Sequence, residues 1–223
     1  MVRRLNTMSI SCTLADTPDL KDQVYRLRHA CYLGKGAIEA RPDGRFADPY
    51  DEHPNHFSFL LRAESPQPLA TVRISVVRPD LGWTSSPARK VFGDHSAFEM
   101  MAQGSFVEAS RLCFAEQARR DVLLRLIGNM AALADFYEVD WFMACPRVEH
   151  TEIYERMFGF KRMAAPRKYF GVGFETALLG ISRMDLLNYT SGVRAMRKAH
   201  QEAFTHISNL LRGFSSAMMS PLA

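Results

Sequence analysis

Two charged residues inside an otherwise apolar segment are the side chains best suited to chemistry in this sequence. Residues 105–114 are rich in aromatic and β-branched residues, which is typical of a buried strand, yet they include Glu108 and Arg111. Burying either charge alone costs several kcal/mol, so both need partners or a chemical task. A carboxylate here can take a proton from a reacting group. We predict that Glu108, Ser110 and Arg111 are catalytic. The structural alternative is a buried salt bridge from Glu108 to Arg111 or Arg73.

Further charged residues lie upstream in positions that also need an explanation. Asp48 and Asp51 occur in a loop rich in glycine, proline and charge, and Arg73 lies within an apolar run. A guanidinium suits a bidentate grip on a carboxylate, so Arg73 could bind a substrate carboxylate or pair with Glu108. The two aspartates could hold a substrate ammonium. Alternatively, they could order their loop through caps and salt bridges, with Arg28 as a partner.

Composition describes an ordinary globular protein of 223 residues, with 47% hydrophobic and 23% charged residues. A net charge of +4 without a Lys/Arg-rich block argues against a nucleic-acid partner. The four cysteines have no Cys-x-x-Cys spacing and lie among apolar residues, which favours free thiols in the cytoplasm. We recognise no signal peptide and no membrane-spanning apolar run. No metal is expected, because nothing completes a coordination shell around the aspartates and the nearby His53 and His56.

The hydrophobic pattern predicts the elements that carry these side chains. Strands are predicted at 9–14, 57–62, 69–77, 105–114, 139–145, 160–163 and 176–181, with helices at 17–34, 122–137 and 149–158. The segment 80–104 is predicted to be irregular, with at most a short helix at 97–101. This order indicates a mixed α/β (α+β) fold with helices on both faces of a sheet.

The C-terminal segment differs from the rest of the chain. Apolar residues from Val193 to Phe214 recur at helical spacing beside Arg194, Arg197 and Lys198, which predicts an amphipathic helix. We expect it to dock on the domain or at a dimer interface, with contact to a membrane surface as an alternative. We therefore divide the chain into a domain at 1–185 and a helical appendage at 186–223; the sequence does not predict an oligomeric state.

The order of elements and of charged residues resembles that of a known family. The element order and the segment 153–160 are similar to the GNAT acyltransferase fold. The charged and aromatic positions resemble those of N-acyl amino acid synthases and acyl-homoserine-lactone (AHL) synthases: Arg28, Tyr32, Asp48, Asp51, Arg73, Glu108 and Arg111. The resemblance covers residues 9–182. It implies substrate-binding roles for Arg28, Tyr32, Asp48, Asp51 and Arg73.

The resemblance also implies a site between parted strands. GNAT-like folds are expected to splay the strands near 105–114 and 139–145, leaving a slot for an acyl thioester. Residues three apart in a regular strand point to opposite faces, so Glu108 and Arg111 share that slot only if a β-bulge lies between them. A bulge would also free backbone N–H groups to act as an oxyanion hole. Tyr32 and Tyr154 are candidate proton donors to the departing thiolate, with core packing as the alternative.

The nature of the acyl donor follows from the turn after this strand. GNAT-type acetyl-coenzyme-A enzymes usually have a glycine-containing turn there that cradles a pyrophosphate, whereas residues 116–121 contain no glycine. We therefore favour acyl carrier protein, an acidic partner whose phosphopantetheine thioester is the co-substrate, and expect no cofactor. Arg119, Arg120 and Arg125 are candidate docking residues, or an ordinary solvated helix face. The candidates to line an acyl tunnel, with core packing as the alternative, are Phe106, Leu112, Phe114, Trp141 and Phe142.

These observations predict an N-acyltransferase that moves a medium or long fatty acyl group to the amine of an amino acid or a similar small molecule. AHL synthases usually have a tryptophan soon after the position of Tyr32, and Ile38 stands there instead. This departure argues against S-adenosylmethionine as the acceptor, although an AHL synthase remains the nearest alternative. A non-catalytic acyl- or lipid-sensing module is the alternative from another class.

Overall fold

The computed structural model describes residues 10–63, 65–118, 120–192 and 194–218, and among them all side chains except those of 120, 121, 190–192, 194–196 and 210–218. The strands there are β1 (Ser11–Leu14), β2 (His56–Arg62), β3 (Pro68–Val77), β4 (Phe106–Phe114), β5 (Trp141–Ala144), β6 (Lys161–Arg162), β7 (Arg167–Lys168), β8 (Glu175–Thr176) and β9 (Leu179–Ser182). The helices are α1 (Pro18–Gly34), α2 (Pro87–Phe92), α3 (Ser96–Ala102), α4 (Arg120–Phe136), α5 (Thr151–Phe158), α6 (Arg183–Gly192) and α7 (Arg194–Met218).

Seven strands form one sheet in the order β1-β2-β3-β4-β5-β9-β6. All neighbouring strands are antiparallel except β4 and β5, which are parallel. Strands β7 and β8 form a separate antiparallel hairpin. The GNAT-like, mostly antiparallel sheet flanked by helices is therefore confirmed.

The helix boundaries follow local sequence signals. Thr17 caps α1 by accepting a hydrogen bond from the N–H of Leu20 at 3.3 Å, and proline occupies the first helical position. Helix α5 ends at Gly159, whose φ of 72° lies in the left-handed region that favours glycine. Both boundaries confirm the prediction from sequence.

The two faces of the sheet have different character. Val72, Ile74 and Val76 of β3 pack with α4 in the main hydrophobic core. Arg73 and Ser75 alternate with them and point to the opposite face, which α1, α2 and the loop around residue 50 cover. In β4, Ser110 lies opposite Arg73 and Glu108 lies opposite Ser75, so these two side chains are on the same covered face of the sheet. The functional residues therefore lie between the sheet and α1, away from α4.

The sequence prediction lacks α2, the hairpin β7–β8 and α6. The segment 80–104 contains α2 in addition to the expected short helix α3, which is observed at Ser96–Ala102. The hairpin β7–β8 separates β6 from β9 in the chain, although β6 and β9 pair antiparallel in the sheet. Helix α6 precedes the C-terminal helix. Short elements of this kind offer too few residues for a periodic pattern.

The C-terminal amphipathic helix is confirmed as α7, and it docks on α4. Gly128 of α4 lies so close to α7 that an added Cβ would be 2.7 Å from the carbonyl oxygen of Ala199. Arg125 and Glu202 form a salt bridge of 2.6 Å between the two helices. In the described part of the chain, none of the helices combines the length and apolarity needed to cross a membrane. The domain boundary at 185 stays a prediction.

Candidate active site

Strands β4 and β5 part and leave a cavity between them. They pair from Phe106 with Trp141 to Ala109 with Ala144, and beyond that point β4 continues to Phe114 without β5. A cavity of about 300 Å³ occupies the gap. Its lining is Cys31, Tyr32, Lys35, Ala109, Ser110, Arg111, Leu112, Cys113, Phe114, Leu123, Ala144, Cys145, Pro146, Arg147, His150, Ile153, Tyr154, Tyr169, Phe174 and Thr176. The predicted splay is therefore confirmed.

A β-bulge lies in β4 at the start of this gap. Arg73 pairs with Ser110 and Thr71 pairs with Cys113, so two residues of β4 stand opposite one residue of β3. Arg111 has a φ of 54°, in the left-handed region. A bulge of this kind turns Arg111 to the same face as Glu108 and Ser110, as the sequence predicted.

Buried arginines and aspartates form a continuous ion-pair network on this face, which we call the arginine–aspartate network: Arg28, Asp51, Arg73, Asp48 and Arg111. Arg111 donates to Oδ2 of Asp48 at 2.7 and 2.9 Å, and Arg73 donates to its Oδ1 at 2.6 Å. Asp51 accepts from Arg28 at 2.7 Å and from Arg73 at 3.1 Å. The two aspartates also form a capping box, in which each side chain accepts a hydrogen bond from a backbone N–H of the same 3₁₀ turn. The interpretation that they order their loop is therefore confirmed.

The network leaves little capacity for a substrate. Arg73 is fully buried, and it donates to Asp48, Asp51 and Oγ of Ser110, the last at 3.1 Å. Its guanidinium is therefore occupied. Burial alone would raise the pKa of Asp48, but Arg73 and Arg111 outweigh it and hold the pKa well below its usual range. The direct substrate-binding roles of Arg28, Asp48, Asp51 and Arg73 thus stay predictions, and the geometry favours a positioning role for each of these residues.

Glu108 is separate from this network. The predicted salt bridge to Arg111 or Arg73 is wrong: in the described part of the chain, Glu108 forms no ion pair with either. Instead, Ser86 Oγ donates to Oε2 at 2.6 Å and the N–H of Ala88 donates to both carboxylate oxygens at 3.1 Å. Glu108 is fully buried, and burial raises its pKa to about 7. Such a carboxylate can gain and lose a proton at neutral pH.

Tyr169 stands between Glu108 and the cavity. Its ring lines the cavity, and its buried hydroxyl lies close enough to Glu108 to lower the pKa of that carboxylate. Burial first, and then the charge of Glu108, raises the pKa of Tyr169 well above its usual value. The same two causes raise the pKa of Cys145, another lining residue. Glu108 itself is absent from the lining, so it lies one side chain behind the cavity wall.

Aromatic rings surround the guanidinium of Arg111. The ring centroids of Phe46, Phe170, Tyr169 and Tyr32 lie 4.8, 5.4, 5.7 and 5.9 Å from its Cζ. Such contacts hold an arginine in place at low cost in entropy. Tyr32 thus lies in the cavity as predicted, and burial raises its pKa above the usual value, so it stays protonated near neutral pH.

The predicted acyl tunnel is only partly in the right place. Phe106 and Trp141 pair at the closed end of β4 and β5, and neither lines the cavity. Phe106 packs edge-to-face on Phe98 in the core, because its position precedes the point where the strands separate. The core alternative therefore describes these two residues in this structure, and their role in a tunnel stays a prediction. The apolar lining includes the two candidates Leu112 and Phe114, and Leu123, Ile153 and Tyr154 complete it.

The candidate docking arginines are only partly visible. Arg119 lies outside the described residues, as does the side chain of Arg120. Arg125 is paired with Glu202 of α7, so it helps to hold the two helices together. The described residues contain no cluster of three histidines, cysteines or acidic residues that could hold a metal.

Sequence reasoning missed the lining residues contributed by the end of α1, the turn after β5 and the hairpin β7–β8: Lys35, Arg147, Tyr169, Phe174 and Thr176. Each of them stands in a short segment without hydrophobic periodicity. The only clue in the sequence was the residue type. Arg147, Tyr169 and Thr176 carry polar groups, which a folded protein normally exposes to solvent or pairs in hydrogen bonds.

Comparisons with known proteins agree with this geometry. A family model described as N-acyl amino acid synthase FeeM matches residues 23–182. A comparison with curated proteins finds no match.

Several solved structures share the fold. FeeM, an N-acyl amino acid synthase from uncultured soil microbes, has a TM-score of 0.67 and 14% identity, covering 86% of this chain and 98% of that one. The AHL synthase LasI has a TM-score of 0.58 and 14% identity, covering 81% and 96%. The CoA-dependent acyl-homoserine lactone synthase BjaI has a TM-score of 0.55 and 16% identity, covering 87% and 99%.

Proposed function

The chain belongs to the N-acyl amino acid synthase FeeM family, and on this premise we propose that it moves a medium or long fatty acyl group from acyl carrier protein to the amine of an amino acid or a similar small molecule. Membership of this family makes the protein an acyltransferase. The donor, the acyl length and the acceptor are our proposal.

The observation that carries the proposal is the cavity between the parted strands. An acyl thioester needs a slot with an apolar lining and a polar end, and the 300 Å³ cavity has both. The bulge at Arg111 lies at the polar end. The edge of β4 that no longer pairs with β5 runs along the slot. Backbone N–H groups on that edge are the proposed oxyanion hole, since β5 no longer pairs with β4 there.

The reaction requires the removal of protons from the acceptor. An amine enters mostly as an ammonium and must lose one proton before it attacks the thioester carbonyl. We assign Glu108 as the base and Tyr169 as the group that passes the proton to it from the cavity. The C–N bond then forms and the C–S bond breaks. The second proton leaves as the amide forms, so that one proton ends on the departing thiol and the other reaches solvent.

The choice of acyl carrier protein as donor has support from the sequence and from charge. The turn that begins at Glu116 has no glycine to admit a pyrophosphate, and the chain carries a net charge of +4. A basic surface favours encounter with an acidic carrier protein. Arg119 and Arg120 remain the proposed docking residues.

The test is to give purified protein a dodecanoyl thioester of acyl carrier protein or of coenzyme A, with a panel of amino acids and amines as acceptors. We expect N-acyl amino acid and free thiol in equal amounts, with acyl carrier protein the better donor. The KM for the carrier-protein thioester is expected to rise several-fold between 50 and 200 mM salt, while that for dodecanoyl-pantetheine stays constant, because only protein docking is screened. If the protein instead forms a lactone from S-adenosylmethionine and releases methylthioadenosine, the proposed acceptor is wrong.

A further inference from the structure

One wall of the cavity contains polar atoms that the protein itself leaves unsatisfied. Nε of Arg147 and Oγ1 of Thr176 are buried and have no hydrogen-bond partner among the described residues, and both side chains line the cavity. They lie next to each other, since their backbones form a β-bridge. Buried polar groups in folded proteins are nearly always paired, so two adjacent unpaired groups at a cavity wall are suited to bind a polar ligand.

The surroundings of these atoms favour a negatively charged ligand. Lys35 and His150 line the same cavity. Burial first, and then the positive charges of Lys35 and Arg147, lower the pKa of His150, so the three side chains share one electrostatic neighbourhood. The nearest described counter-charge is Glu149, which accepts from Arg147 at 3.2 Å but is largely exposed. Exposed ion pairs of this kind are weak, so the pair with Glu149 leaves the guanidinium of Arg147 able to bind another anion.

The guanidinium of Arg147 is also held in a fixed orientation. Its Cζ lies 4.8 Å from the ring centroid of Phe174, and Phe174 stacks on Tyr32 with centroids 6.2 Å apart. A stacked guanidinium presents its N–H fork in one plane, which matches the geometry of a carboxylate. By contrast, Arg73 and Arg111 are already occupied by Asp48.

We propose that Arg147 and Thr176 bind the carboxylate of the acceptor, with Lys35 adding charge and His150 a further ring N–H. A simple amine without a carboxylate would lack these contacts and is expected to be a poorer acceptor. This inference rests on the proposed function. Thr176 of β8 and Tyr169, which follows β7, belong to one hairpin. One hairpin therefore supplies both Thr176, which binds the carboxylate, and Tyr169, which takes the proton from the amine. An amino acid needs such an arrangement, because its amine and its carboxylate are close together.

The test measures binding of N-dodecanoylglycine and of its methyl ester by calorimetry. In Arg147→Gln we expect the Kd of the acid to rise roughly 10- to 100-fold, as for loss of hydrogen bonds to a charged group, and that of the ester to stay within about two-fold. Thr176→Val keeps the side-chain volume and is expected to weaken binding of the acid several-fold. Arg156→Gln is the matched control, because it removes an arginine that is 77% exposed on α5 and should change neither Kd.

Two outcomes would overturn the inference. Equal losses for acid and ester would mean that Arg147 supports packing and not charge recognition. A second arm compares dodecanoyl-pantetheine with its 4′-phosphorylated form; if Arg147→Gln weakens only the phosphorylated form, the site binds the donor phosphate. Because binding is read without turnover, a wild-type protein that binds the acid through Arg147 but transfers no acyl group would refute the proposed function and leave the anion site intact.

Discussion

At the scale of single residues, the site separates the charges that build it from the charge that reacts. Asp48 and Asp51 form ion pairs with three buried arginines. Glu108 instead accepts hydrogen bonds from the neutral groups of Ser86 and Ala88. Neutral donors stabilise a carboxylate less than arginines do, so desolvation dominates and the pKa of Glu108 rises to about 7.

The first prediction concerns Glu108 as the base. Only its ionised form can accept a proton, so kcat/KM should rise as the pH increases through about 7 and then level off. Glu108→Gln keeps the shape, and we expect kcat to fall by roughly 10²–10⁴ with little change in the KM for the thioester. Initial rates between pH 5.5 and 9 measure both effects. A variant with full activity and an unchanged pH profile would show that another group is the base.

The second prediction concerns the arginine–aspartate network. Asp48→Asn should lower the free energy of unfolding by about 3–5 kcal/mol, because it leaves two buried arginines without their shared counter-charge. Asp94→Asn is the control, since Asp94 is 74% exposed and its replacement should leave the stability nearly unchanged.

The pH dependence of that difference has a definite sign. The folded pKa of Asp48 lies below its unfolded value, so its contribution is complete above the usual carboxyl pKa and is lost as the pH falls below it. The gap in stability between wild type and Asp48→Asn should therefore shrink on acidification in urea titrations. A gap that stays constant down to pH 3 would contradict the assignment.

At the scale of elements, the bulge in β4 decides where the site forms. A regular strand would place Arg111 on the face of α4, away from Asp48. The bulge costs strain, since a residue with a side chain in the left-handed region loses roughly 1–2 kcal/mol. The four ion-pair hydrogen bonds of Asp48 and the aromatic surroundings of Arg111 offset that strain.

The third prediction tests the backbone of the bulge. Arg111→Gly and Arg111→Ala lose the same contacts, but only glycine adopts a positive φ freely, so the glycine variant should be more stable by about 1 kcal/mol. The opposite order is expected two residues earlier, where Ala109→Gly in the regular strand should cost about 0.5–1 kcal/mol. Chemical denaturation measures all three variants. An alanine variant at 111 as stable as the glycine variant would contradict the bulge.

The fourth prediction concerns the contact between α4 and α7. Glycine inside a helix is normally unfavourable, yet Gly128→Ala should destabilise the protein by about 1–3 kcal/mol, because the new Cβ would meet the backbone of Ala199. Gly34→Ala at the end of α1 is the matched control, since its Cβ meets nothing and should be neutral or slightly stabilising. If Gly128→Ala is equally harmless, α7 does not pack on α4 this closely.

At the scale of the whole molecule, the sequence predicts the fold better than the site. Long periodic elements such as α1, β3 and α4 are correct within a few residues, and the charges of β4 pointed to the bulge. The partner of Glu108 was missed, because Ser86 lies in a segment without a periodic pattern. Tyr169 and Thr176 were missed for the same reason. Contacts made by short loops depend on the tertiary fold, which local patterns do not specify.

The central claim is that a fatty acyl group is transferred to an amino acid in the cleft beside Glu108. Mass spectrometry of lipids from cells that overproduce the wild-type protein or Glu108→Gln tests this claim most directly. We predict a new N-acyl amino acid in the wild-type extract that is absent or strongly reduced with the variant. Identical lipids in both extracts and in cells without the protein, with the purified protein still binding acyl thioester, would contradict the claim.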